Sequence, residues 1–173
     1  MRGVILIALL LMSMMVKAQT DFDTSTDKEN GSVVFKGQIT YNDLRKEPSF
    51  KWLDKGIIDY KPNGADLDFL GKHLKHYEVV TFMGTWCEDS QNLVPKLLKV
   101  LAATDYPMHQ HTIYGVDRTK MAKYTEAKFY EISRVPTFIL IKDNQEVGRI
   151  TESVNKSIEV DLKAIIEKDL AKK

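Results

Sequence analysis

Three short, nearly unbroken apolar runs constrain this chain more than any other feature: residues 77–84 (YEVVTFMG), 112–116 (TIYGV) and 136–142 (PTFILIK). Such runs read as strands covered on both faces, so each needs a packed layer above and below it. The stretches between and around them have helical periodicity. Residues 65–76 place Leu67, Phe69, Leu70 and Leu74 near one face, and 88–103 turn Leu93, Leu97, Leu98 and Leu101 inward. Residues 120–132 read as mostly helical, and 158–170 carry Ile158, Leu162, Ile165, Ile166 and Leu170 on one side. Asp143-Asn144-Gln145 is a turn signal before a fourth strand at 146–151. The order from residue 65 is helix, strand, helix, strand, helix, strand, strand, helix. This predicts an α/β fold of three layers, α/β/α, with a mixed central sheet.

Ahead of this core lie two further segments and a leader. Residues 33–64 read as an N-terminal β-α extension, with a strand at 33–40 (VVFKGQIT) and one or two short helices broken at Pro48. Lys61-Pro62-Asn63-Gly64 closes it as a turn, and the main domain runs from 65 to 173. Residues 19–32 are polar and acidic and read as a flexible lead-in. Met1-Arg2, the 13-residue apolar run from Val4 to Val16 and the small residues before Gln19 read as a signal peptide over 1–18. The run is shorter than the roughly 20 residues that a bilayer requires. The expected location is therefore periplasmic or secreted, without stable membrane insertion after cleavage.

Composition narrows the function. The 173 residues carry a formal net charge of +1; without Arg2 and Lys17 of the leader, 23 basic face 24 acidic residues. No basic excess marks a nucleic-acid binder. The single cysteine excludes an internal disulfide framework and a Cys-rich zinc site. His73 and His76, and His109 with His111, are spaced for a metal, but no carboxylate pattern completes a site, so they read as solvated. Neither a metal nor a cofactor is called for.

The one thiol, Cys87, follows a buried strand and opens a helix in Gly84-Thr85-Trp86-Cys87-Glu88-Asp89-Ser90. Unpaired backbone N–H groups and the positive end of the helix favour its thiolate, while Glu88 and Asp89 oppose it. Trp86-Cys87-x-x-Ser90 after a strand, Pro95 inside the helix, and Val135-Pro136-Thr137 before a later strand together resemble the thioredoxin-like superfamily. The resemblance covers roughly residues 65–170. It implies that Cys87 is the nucleophile, that Trp86 shields it, and that Pro136 is a cis-proline facing it. Val135, Pro136 and Thr137 would then join Trp86 in contacting an extended substrate, with Ser90 completing the catalytic set. Pro95 would kink the helix.

Two departures qualify that picture. Ser90 stands where the family has its resolving cysteine, and Thr81 stands where it often has a buried acid. A serine hydroxyl cannot release a mixed disulfide. With the export that the leader implies, the resemblance implies an exported monothiol protein whose partners are protein or small-molecule thiols and disulfides, with weak reductase or isomerase activity dependent on an external thiol. The alternatives are a redox-inactive, chaperone-like peptide binder and a peroxide-sensing thiol that passes through sulfenic acid.

Overall fold

Residues 79–83 are five consecutive buried positions, because they form the middle of a sheet with both faces covered. The computed structural model describes residues 21–172. The signal peptide expected over 1–18 lies outside the described residues. In chain order the elements are β1 (Phe22–Thr26), β2 (Val33–Ile39), α1 (Tyr41–Lys46), α2 (Lys51–Asp59), α3 (Gly64–His73) and β3 (Glu78–Met83). They continue as α4 (Glu88–Ala103), β4 (His111–Gly115), α5 (Glu126–Phe129), β5 (Thr137–Lys142), β6 (Gln145–Thr151) and α6 (Ile158–Leu170).

The six strands lie in the order β1-β2-β4-β3-β5-β6. Only β3 and β4 are parallel; the other neighbours are antiparallel. Strand alternation sends Val79 and Met83 into one core and Val80 and Phe82 into another. The first core packs under α1, α2, α3, α4 and α6. The second is roofed by a thin layer from the β4–β5 connection, through Val116, Ala122, Ala127 and Val135. The fold is thus mixed α/β, with a mixed sheet between two unequal layers.

Two close approaches fix this packing. A Cβ on Gly56 of α2 would lie 2.7 Å from the Pro95 ring, so the glycine lets α2 settle against α4 at its internal proline. Asp143 and Asn144 both have positive φ, 52° and 60°, the conformation of the tightest hairpin turn, between β5 and β6.

Two expectations are corrected. Residues 19–32 include an ordered strand, β1, which extends the sheet beyond β2. Only Phe22 along it is even half-buried, so no hydrophobic pattern announced it. It is held by its turn: Asp27 Oδ1 accepts the N–H groups of Glu29 and Asn30, both at 3.0 Å, and Gly31 takes φ +73°. The segment 120–132 forms only the single turn α5. The Asp117 carboxylate captures the N–H groups of Thr119 and Met121 at 2.9 and 3.1 Å, and Lys120 takes φ 63°. Those groups are lost to a helix.

Candidate active site

Cys87 is the N-cap of α4 and is partly exposed. Its N–H donates to Gly84 O at 2.9 Å, and its carbonyl accepts from Gln91 N at 3.0 Å. The N–H groups of Glu88, Asp89 and Ser90 are in the first turn and have no intrahelical acceptor. The Cys87 side chain makes no capping bond to them; its Sγ–H is directed to a carbonyl across the site instead. The Sγ lies 3.5 Å from the Val135 carbonyl, and the Val135–Pro136 peptide bond is cis. The structure therefore brings together Cys87 and Val135-Pro136, which are 48 residues apart in sequence.

The other sequence-derived site residues are more enclosed than the motif suggests. Trp86 is 8% exposed. Its Nε1 donates to Val116 O at 2.9 Å, and its ring lies where a Gly84 Cβ would sit, 2.6 Å from that position. The guanidinium of Arg118 covers the indole at 4.6 Å and the Lys120 ammonium lies 5.4 Å from it. Trp86 thus shields the loop, but the face it would offer a substrate is a cationic lid over the ring. Val135, Pro136 and Thr137 are buried, and Thr137 Oγ1 donates to Arg134 O at 2.7 Å. The surface they offer is backbone.

Ser90 is fully buried, and its Oγ accepts the Gly84 N–H at 3.2 Å. The hydroxyl is committed to the loop that carries Cys87. Thr81 is also fully buried and hydrogen-bonds His111 Nε2 at 2.9 Å. His111 is thus not the solvated residue its sequence context implied. Burial pushes its imidazole down to about 4, so it is neutral at physiological pH. Among the described residues, no group of histidine, cysteine and carboxylate side chains could hold a metal.

Sequence reasoning missed the residues that brace the site. Asn30 Nδ2 donates to Trp86 O at 3.1 Å, and Thr85 Oγ1 donates to Val33 O at 2.8 Å while accepting Phe35 N–H at 3.2 Å. Arg118 grips Asp27 with Nε and Nη2, at 2.7 and 3.0 Å. That fork, the largest influence on the carboxyl, helps hold Asp27 at about 2. The available signal was the Asn30-Gly31 pair, a hairpin turn between two extended segments.

A partly exposed thiol at the N-cap position of a helix, after a doubly covered central strand and opposite a cis X–Pro loop, defines a thiol-bearing α/β/α domain. Residues 69–168 match the family model described as Thioredoxin. The chain belongs to the thioredoxin family. It is 35% identical over 72 residues to mitochondrial thioredoxin-3 of Saccharomyces cerevisiae, a match covering 42% of this chain and 52% of that protein. The chain thus spans about half the length of that curated relative. A crystal structure of a protein of unknown function from Pseudomonas aeruginosa superposes with a TM-score of 0.48 at 12% identity. That superposition covers 76% of this chain and 89% of the other.

Proposed function

We propose that this protein is an exported monothiol member of the family, acting on thiols and disulfides in the periplasm or outside the cell. The observation that carries this reading is the partly exposed Cys87 Sγ at the tip of α4, 3.5 Å from Val135 O, with a buried hydroxyl at Ser90. The Cys87 thiolate attacks one sulfur of a client disulfide. A Cys87–client disulfide forms, and the client's other sulfur leaves as a thiolate. With no second thiol in the chain, an external thiolate attacks the mixed disulfide. It regenerates the Cys87 thiolate and carries the client sulfur away in a new disulfide. Each step exchanges one S–S bond for another, so electrons balance without a cofactor. Val135, next to the sulfur, supports backbone pairing with an extended client.

Three experiments test this. On non-reducing gels, protein isolated after acid trapping should show disulfide-linked partners that disappear in Cys87→Ala. Partners that co-purify equally with wild type and Cys87→Ala under native conditions, none of them disulfide-linked to wild type, would instead establish the redox-inactive peptide binder. The second restores the missing thiol: pre-reduced Ser90→Cys should reduce insulin once per molecule and end with an internal disulfide to Cys87, whereas wild type stalls at the mixed disulfide until an external thiol is added. Rapid dimedone labelling after dilute peroxide, without mixed disulfides, would assign Cys87 to peroxide sensing.

A further inference from the structure

The β1–β2 turn, residues 27–32, lies outside the part of the chain matched by the family model, yet it touches the peptide unit that precedes the nucleophile. The carbonyl of Trp86 and the N–H of Cys87 belong to one planar amide. Asn30 Nδ2 holds the carbonyl end at 3.1 Å, and Gly84 O holds the N–H end at 2.9 Å. Rotating that plane breaks both bonds, and the plane sets where the Cys87 side chain leaves the backbone. Asn30 is itself fixed. Its N–H donates to Asp27 Oδ1 at 3.0 Å, and its Oδ1 accepts Ser32 N–H at 3.0 Å. Asp27 is gripped by Arg118, whose guanidinium lies over the Trp86 ring and within electrostatic reach of Cys87. Glu29 adds a second carboxylate to Arg118 at 2.9 Å. The contacts close a ring: Asn30, Asp27, Arg118, Trp86 and back to Asn30.

We infer that Asn30 is a positioning residue for Cys87, with Asp27 and Arg118 as its support, so that the N-terminal hairpin is a working part of the thiol site. This rests on the thiol–disulfide reading above. The turn acts through the Trp86–Cys87 amide: it keeps Sγ at the mouth of the site beside Val135 O.

The test is Asn30→Asp in the full chain. The substitution keeps an acceptor for Ser32 N–H but removes the donor to Trp86 O. Two quantities are read against wild type: the rate of Cys87 exchange with the neutral probe 2,2′-dipyridyl disulfide, and hydrogen exchange of the Cys87 amide relative to that of Phe82 in β3. Positioning predicts a fall in thiol exchange of about fivefold, the size of one net hydrogen bond. It also predicts faster exchange at the Cys87 amide with Phe82 unchanged. A merely structural role would accelerate both amides together. Wild-type exchange rates at both the thiol and the Cys87 amide would overturn the inference. If wild-type Cys87 does not react with the probe at all, the thiol–disulfide reading fails, and the amide ratio alone decides the positioning role. Should Asn30→Asp not fold, Arg118→Lys, which keeps the charge but cannot form the fork to Asp27, should show the same selective loosening of the Cys87 amide.

Discussion

His111 and Thr81 form a neutral hydrogen-bonded pair between the two central parallel strands. An imidazole held at about 4 by burial has acid-dependent consequences. An unfolded histidine titrates near 6.5. Between those values the unfolded chain binds a proton that the native protein refuses, so stability rises with pH across the window and falls on acidification. The full difference, reached at pH 4 and below, is about 3 kcal/mol. Urea midpoints measured from pH 7.5 to 4.5 should fall steadily for wild type, and His111→Gln should flatten that fall. The acidic groups act in a separate, lower window. Asp27, held at about 2, stabilises above the unfolded carboxylate value near 3.9 and loses that contribution as pH drops through 2. An equal slope in both proteins between pH 6.5 and 4.5 would show that His111 protonates freely in the fold.

Elements meet here through glycines whose missing Cβ is the reason for the contact. A Cβ on Gly115 of β4 would lie 2.2 Å from Phe35 O on β2, a collision with backbone that cannot turn aside. Gly115→Ala should therefore cost about 2–3 kcal/mol by forcing β2 off β4. Gly71 in α3 has open space at the same position, and Gly71→Ala should raise stability by about 0.5–1 kcal/mol through helix propensity. Thermal unfolding of the two variants should move in opposite directions. This contrast also shows why the sequence was readable in some elements and not in others. β3, β5 and α4 announce themselves because their burial is continuous or periodic along the chain. β1 has one half-buried side chain and is specified by the Asp27 turn instead. The stretch around α5 has helical composition, but Asp117 removes the N–H groups that a helix would use. The same division holds at the site. Cys87 and Pro136 were legible because local motifs carry them. Asn30 and Arg118 were not, because their partners lie 56 and 91 residues away.

Across the whole molecule, residues 22–64 are built into the thioredoxin-family domain. β2 sits inside the sheet, paired to β1 on one side and β4 on the other. Phe35, Ile39, Leu44, Phe50 and Leu53 belong to the same buried core as Leu97, Phe138 and Ile166. The far end of the extension is tied to α6. Tyr60 donates to Glu159 at 2.6 Å, and Asn63 N–H donates to the same carboxylate at 3.1 Å. Burial pushes the Glu159 carboxyl up, but these bonds outweigh it and hold it below the usual range. Five large apolar side chains contribute roughly 10 kcal/mol of burial. That is comparable to the entire stability of an ordinary domain, about 5–15 kcal/mol. A chain starting at Gly64 should therefore lose cooperative unfolding and near-ultraviolet circular dichroism, with β4 left as an open sheet edge. Among the described residues, a second truncation, starting at Ser32, removes β1 and most of its turn; it loses the Phe22 contact but keeps every buried member of that core. It should still unfold cooperatively, at a lower temperature, and its Cys87 should exchange more slowly because Asn30 is gone. If the chain from Gly64 instead melts within a few degrees of the full protein, the extension is an appendage rather than part of the core. If the chain from Ser32 keeps full thiol reactivity, the hairpin contributes to the sheet and not to the sulfur.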